Sequence, residues 1–180
     1  MGTWLTEDGR NLVKIKTRIG MVKSAFATRK ELLCSRLSLA LKNKIVKTVI
    51  WPVLLYGCET WTLRKEEIRR IEACEMWLWR RMVKVKWSDR KTNEEVLRMV
   101  SEKRSLVCKI VNRKKNWVGH VLRGDSLLRD VMEGRMEGKR GRGRMRKGML
   151  DELMKGDYET MKRGAQNRDA WREWMPWTYQ

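Results

Sequence analysis

The chain has 180 residues, enough for one domain or two small ones with a real hydrophobic core and too few for a large multidomain enzyme. Its 42 Lys and Arg against 22 Asp and Glu give a formal charge of +20, distributed along the whole chain. Such a field concentrates polyanions, so nucleic acid is the first partner to consider and a solvated charged surface is the plain alternative. A membrane span is excluded on length, because the longest apolar stretch, residues 46–58, is broken by Lys47, Thr48 and Pro52 and falls short of the roughly 20 residues a bilayer requires.

Only two prolines and few alternating polar and apolar runs point to an all-α fold. Residues 11–27 place Leu12, Ile15, Ile19 and Val22 on one helical face, and residues 32–41 form a second apolar patch expected to pack on it. Ile45, Val49 and Val53 continue the helical spacing, widened by Val46 and Ile50. Pro52, which lacks a backbone donor, predicts a kink or break, followed by a turn at Gly57.

The strongest helix signal covers residues 65–86, where Ile68, Ile71, Cys74, Leu78, Met82 and Val85 step by three and four. Its other faces carry Arg64, Arg69, Arg70, Arg80, Arg81 and Lys84. Thr92 and Glu95 have the spacing of a capping box and predict a short helix burying Val96, Leu97 and Val100. Residues 105–123 give another amphipathic helix, with Leu106, Ile110, Trp117 and Val121 inward, Lys109, Arg113 and Lys114 outward, and Gly124 as its stop.

Between Gly134 and Gly148 the chain is dominated by Gly and Arg, without an apolar face and with strong self-repulsion, which predicts a flexible basic linker over 134–148. Residues 149–155 and 158–174 read as helices again, with Ala170, Trp171 and Trp174 supplying apolar contacts, and the last six residues are expected to fray.

Four sequence blocks in order carry a resemblance: Leu54 to Trp61 (LLYGCETW), Trp87 to Leu97 (WSDRKTNEEVL), Trp117 to Arg123 (WVGHVLR) and Gly138 to Arg144 (GKRGRGR). Together they resemble the region that follows the polymerase palm in non-LTR (LINE-type) retrotransposon endonuclease/reverse transcriptases. Gly2 to Gly9 (GTWLTEDG) looks like the end of the strand and turn that close that palm. The resemblance implies that residues 1–62 correspond to a helical thumb-like region that packs on a template-primer duplex. Residues 63–133 would then be a helical C-terminal region, 134–148 the basic linker and 149–180 short C-terminal helices. On this reading the catalytic palm and the endonuclease would lie ahead of residue 1. Polymerase chemistry needs clustered carboxylates to hold two metal ions, and the Asp-Asp pair that supplies them in the family does not occur in this sequence. The chain is therefore expected not to be an enzyme itself, while its parent would be an RNA-directed DNA polymerase. Burial of Trp51, Trp61 and the Ile45 face is expected to depend on the absent palm.

Other chemistry is weak in the sequence. Asp130, Glu137 and Lys139 imitate a restriction-nuclease order without the preceding proline or a strand setting, and a solvated charge cluster is the preferred reading. His120 is the single histidine, and Cys34, Cys58, Cys74 and Cys108 form no C-x-x-C pair. No zinc site, other cofactor or disulfide is expected, and the cysteines are assigned to packing. The N-terminus lacks the basic start and apolar run of a signal peptide, which points to an intracellular chain with the nucleus as the expected compartment and the cytoplasm as the alternative.

The expected contacts to RNA or DNA are cationic and backbone-directed, hence of low sequence specificity: Arg80 and Arg81 on the long helix, and Lys139, Arg140, Arg142, Arg144, Arg146 and Lys147 in the Gly-rich stretch. Trp77, Trp79, Trp87 and Trp117 are interleaved with Lys and Arg in a pattern that also permits base stacking, with core packing as the competing role. The other readings of the chain are a helical protein-interaction scaffold, whose partner would be another protein or the polymerase domain, and a translated remnant of a mobile element.

Overall fold

The computed structural model describes residues 11–134, 148–154 and 156–174, and among them the fold is all-α, with no strand. Two compact units divide it: residues 1–58 with 63–109, and residues 59–62 with 110–180.

In the first unit α1 (Leu12–Thr28) buries Ile15, Val22 and Phe26, following the expected stripe, while Leu12 and Ile19 are half-buried. The following apolar patch is a correction to the sequence reading. The chain forms a short α2 (Lys30–Leu33), breaks, and restarts as α3 (Leu39–Ile45) behind the N-cap Ser38. Only Leu33 of this patch is buried, whereas Leu32, Leu39 and Leu41 are exposed. Ser35 and Ser38 draw backbone groups into local turns and interrupt the helical spacing that periodicity alone assumed.

Pro52 neither ends the helix nor sharply breaks it. A π-helical turn, Val46–Ile50, runs straight into α4 (Trp51–Leu55), and the Trp51 N–H donates to Val46 O. The wider turn accommodates a proline that has no N–H of its own and crowds the preceding carbonyls. Gly57 then makes the expected turn at φ +70°. Trp51 is buried inside this unit, edge-on to Trp79 at 6.1 Å, and Trp61 is buried in the second unit, so neither waits for an additional domain.

The helix α5 (Lys65–Met82) packs on α1 and, in turn, α6 (Asn93–Val100) packs on α5. It ends at Met82, four residues before the expected limit, because Lys84 adopts a left-handed conformation at φ 59°. The Val85 N–H reaches back to Arg80 O and the Lys84 N–H to Arg81 O, a Schellman ending built without glycine. The predicted capping box of α6 is formed, with the Thr92 hydroxyl on the Glu95 N–H and the Glu95 carboxylate on the Thr92 N–H. Within the same unit the buried Glu75 carboxylate accepts from the Ser105 and Leu106 N–H groups and so caps the start of α7 (Leu106–Arg123); burial raises its pKa above the ordinary value. Burial likewise pushes the Cys74 thiol up to about 11.

In the second unit one expectation is inverted. Lys114, placed on the outer face of α7 by helical spacing, is fully buried, with its ammonium 2.7 Å from Glu152 Oε2 and 3.4 Å from Met149 O. The partner carboxylate comes from residues 149–154, which form turns and not the expected helix; Asp151 accepts from the Gly148 N–H. So short a segment gains too little from intrahelical bonds to offset helix nucleation. A short helix that the sequence reading passed over, α8 (Leu127–Glu133), is joined to α9 (Tyr158–Gln166) through Glu133, which receives the Tyr158 hydroxyl at 2.9 Å and the Lys162 ammonium at 2.7 Å. The expected single helix over 158–174 is interrupted by Asn167, whose side chain caps a separate α10 (Arg168–Glu173). Trp171 is buried as expected, together with Met161 and Ala165, while Trp174 is half-buried and Ala170 exposed. Trp171 lies so close to α7 that a Cβ on Gly119 would fall 2.1 Å from its ring nitrogen, and that nitrogen donates to Lys115 O at 3.0 Å.

Candidate nucleic-acid interface

Six of the eight expected contact residues, Lys139, Arg140, Arg142, Arg144, Arg146 and Lys147, lie outside the described residues, as do Glu137 of the nuclease-like trio and most of the expected linker. Arg80 and Arg81 stand at the end of α5, and the geometry gives them different tasks. The Arg80 guanidinium donates to Lys91 O at 2.8 Å and to Asn93 Oδ1 at 3.0 Å, so it ties the end of α5 to the start of α6. Arg81 is exposed, and its guanidinium rests 5.3 Å from the Trp77 ring, which Lys23 also approaches at 5.5 Å and Phe26 meets edge-on at 5.4 Å. Trp77 is thus half-buried among these neighbours and Trp79 fully buried, which removes both as open stacking faces.

Between those two arginines and α6 lies a loop, residues 83–92, of which the sequence offers Trp87 alone as a nucleic-acid contact; Lys84 and Val85 are expected within the long helix and Thr92 as the cap of the next. Trp87 is 96% exposed, a costly placement for an indole in water. It opens a single 3-10 turn, Trp87–Asp89. The Asp89 carboxylate accepts from the Lys86 N–H at 2.8 Å, the Asp89 N–H returns to Lys86 O, and the Arg90 N–H closes on Trp87 O. Left-handed backbone at Lys84 (φ 59°) and Arg90 (φ 46°) brackets the turn, a conformation that costs a residue with a Cβ about 1–2 kcal/mol. Lys84, Lys86, Arg90 and Lys91, which flank Trp87 in the sequence, are all exposed. The loop's one carboxylate, Asp89, is occupied by the turn itself.

Next to this loop a shallow cleft of about 410 Å³ is lined by Arg69, Arg80 and Arg104, by Met76 and Trp77, and by the carboxylate of Glu72. Its guanidinium groups thus share the cleft with an acidic group of the chain itself. Arg104 is shared with Glu72 at 3.9 Å and Glu94 at 4.0 Å.

The remaining sequence candidates do not assemble. Cys108, assigned to packing, is exposed on α7, as is His120. Asp130 is exposed on α8. Among the described residues no group of three His, Cys, Asp or Glu side chains is arranged to hold a metal ion, and no helix is long and apolar enough to cross a membrane.

No protein-family model matches the chain, and no solved structure matches it. Over 86 residues, 46% of this chain, it is 29% identical to a Caenorhabditis elegans protein that is named as uncharacterized and transposon-derived. The match spans 31% of that protein's length. This similarity supports a mobile-element origin for the chain.

Proposed function

We propose that the chain is a non-catalytic nucleic-acid-binding part of a non-LTR retrotransposon reverse transcriptase. It contacts RNA or DNA chiefly through the phosphate backbone. The observation that carries the reading is the concentration of exposed cations on the loop between α5 and α6, in a chain whose formal charge is +20. The similarity to a transposon-derived protein and the four ordered sequence blocks support the mobile-element setting. On this reading the Gly-rich stretch with Lys139, Arg140, Arg142, Arg144, Arg146 and Lys147 is a second phosphate-contacting segment, and the compartment is the nucleus, with the cytoplasm as the alternative.

Binding to labelled single-stranded RNA, single-stranded DNA and duplex, followed by fluorescence anisotropy across a salt series, tests the reading. If about six contacts release counterions, log K falls with a slope of about −4 to −5 in log salt, and the slope flattens when those six Lys and Arg are replaced by Gln. Weak binding that ignores both salt and the substitutions overturns it.

A second reading, a helical protein-interaction surface, is favoured by one observation. On α8, Leu127, Leu128 and Val131 are 77%, 43% and 67% exposed at spacings that share a face. Sedimentation of the chain with Leu127 and Val131 replaced by Ser separates this reading from the first.

A further inference from the structure

We propose that Trp87 is a stacking platform for an unpaired base, which makes single-stranded nucleic acid the preferred ligand of the loop between α5 and α6. This inference rests on the nucleic-acid reading above and narrows it.

Three observations converge on it. First, the ring is almost wholly exposed, at 96%, while Trp51, Trp61, Trp79 and Trp171 are at most 3% exposed. The chain buries indoles readily and leaves this one out. Second, the ring is mounted on a braced turn and not on a slack loop. The Asp89 carboxylate fixes the turn from inside at 2.8 Å, the Schellman ending of α5 fixes its entry, and Arg80 clamps its exit through Lys91 O and Asn93 Oδ1. A ring carried on a backbone turn that is already fixed leaves less of the loop to be ordered on binding. Third, Lys84, Lys86, Arg90 and Lys91 belong to the same ten-residue loop and are all exposed, so a strand that stacks a base on the ring finds cations for its phosphates within a few residues on either side. A duplex keeps its bases stacked on one another and offers this ring only its backbone.

The left-handed residues fit the same picture. Glycine would relax the backbone at positions 84 and 90, yet Lys and Arg occupy them, so cations stand where conformational ease alone would select glycine.

The test compares the full chain with Trp87→Ala and Trp87→Phe on four probes at one ionic strength: single-stranded RNA, single-stranded DNA, duplex, and an abasic oligonucleotide that keeps the phosphates. Stacking on one base predicts that Trp87→Ala weakens single-strand binding by about tenfold or more. Duplex and abasic affinities stay within twofold, Trp87→Phe recovers most of the loss, and the salt slope of every probe is unchanged. Equal loss on all four probes, or no loss on any, overturns the stacking role while leaving the electrostatic reading in place. No binding of any probe by the unsubstituted chain overturns both. Intact binding combined with altered sedimentation of Trp87→Ala overturns it in favour of a protein contact.

Discussion

Lys114 and Glu152 are both buried, 0% and 2% exposed at the side chain, and meet at 2.7 Å. An ion pair in such a place is not strong evidence of stability, because desolvating two charges offsets most of their attraction. What matters is the asymmetry of breaking it. Lys114→Met leaves a buried carboxylate with one partner fewer and is expected to cost about 3–5 kcal/mol, as is Glu152→Leu, whereas the double variant removes both charges and recovers most of that loss. Urea denaturation of the three variants checks this, and additive losses in the double variant would show that the pair is not coupled. The same residue illustrates what sequence spacing cannot supply. Helical spacing puts Lys114 on the outer face of α7, and that face is covered by residues 149–154, which lie more than thirty positions later. Trp79 and Trp87 make the complementary point: both were balanced between core and contact, and only the packing of α5 against its neighbours and the 3-10 turn separate them.

At the scale of elements, the long amphipathic helices were legible, and α1 and α7 begin and end within one residue of their expected limits, whereas the C-terminus of α5 was not legible. α1, α5, α6 and α7 follow the spacing of their apolar residues, and the α6 capping box forms as its Thr and Glu spacing requires. The α5 terminus was missed because no glycine marks it: Lys84 takes the left-handed position that glycine usually fills. Ser101, at φ 54°, ends α6 in the same way. These two sites provide an internal comparison. Lys84→Gly and Ser101→Gly should each stabilise the fold by about 1 kcal/mol by relieving left-handed strain, measured as a shift in the urea midpoint at constant m-value. Only Lys84→Gly should also weaken single-strand binding, since Lys84 is an exposed cation of the Trp87 loop whereas Ser101 is uncharged and at the far end of α6. A stabilised Lys84→Gly that binds as tightly as the parent would reduce the cation at this position to a bystander.

For the whole molecule, the +20 charge has two opposed effects. It attracts polyanions, and it strains the compact state through self-repulsion. Both are properties of composition as much as of fold, so binding by itself does not distinguish an arranged site from the generic stickiness of a basic mobile-element remnant. Thermal stability does distinguish them. A ligand that binds only the folded state at 100 times its Kd adds about 2.7 kcal/mol, and for a chain of this size that corresponds to about 5–10 °C in Tm. A polyanion that binds folded and unfolded chains alike adds nothing, because the unfolded chain carries the same Lys and Arg. The comparison has to be made at fixed ionic strength, since salt alone relieves self-repulsion and raises Tm without any site. If the Trp87 loop and its cations form a surface that exists only when α5 and α6 are folded, a single-stranded oligonucleotide raises Tm by that amount and an abasic one by clearly less. Equal, small shifts from both would mean that the charge binds wherever it finds phosphate, and that the fold around Trp87 contributes no recognition.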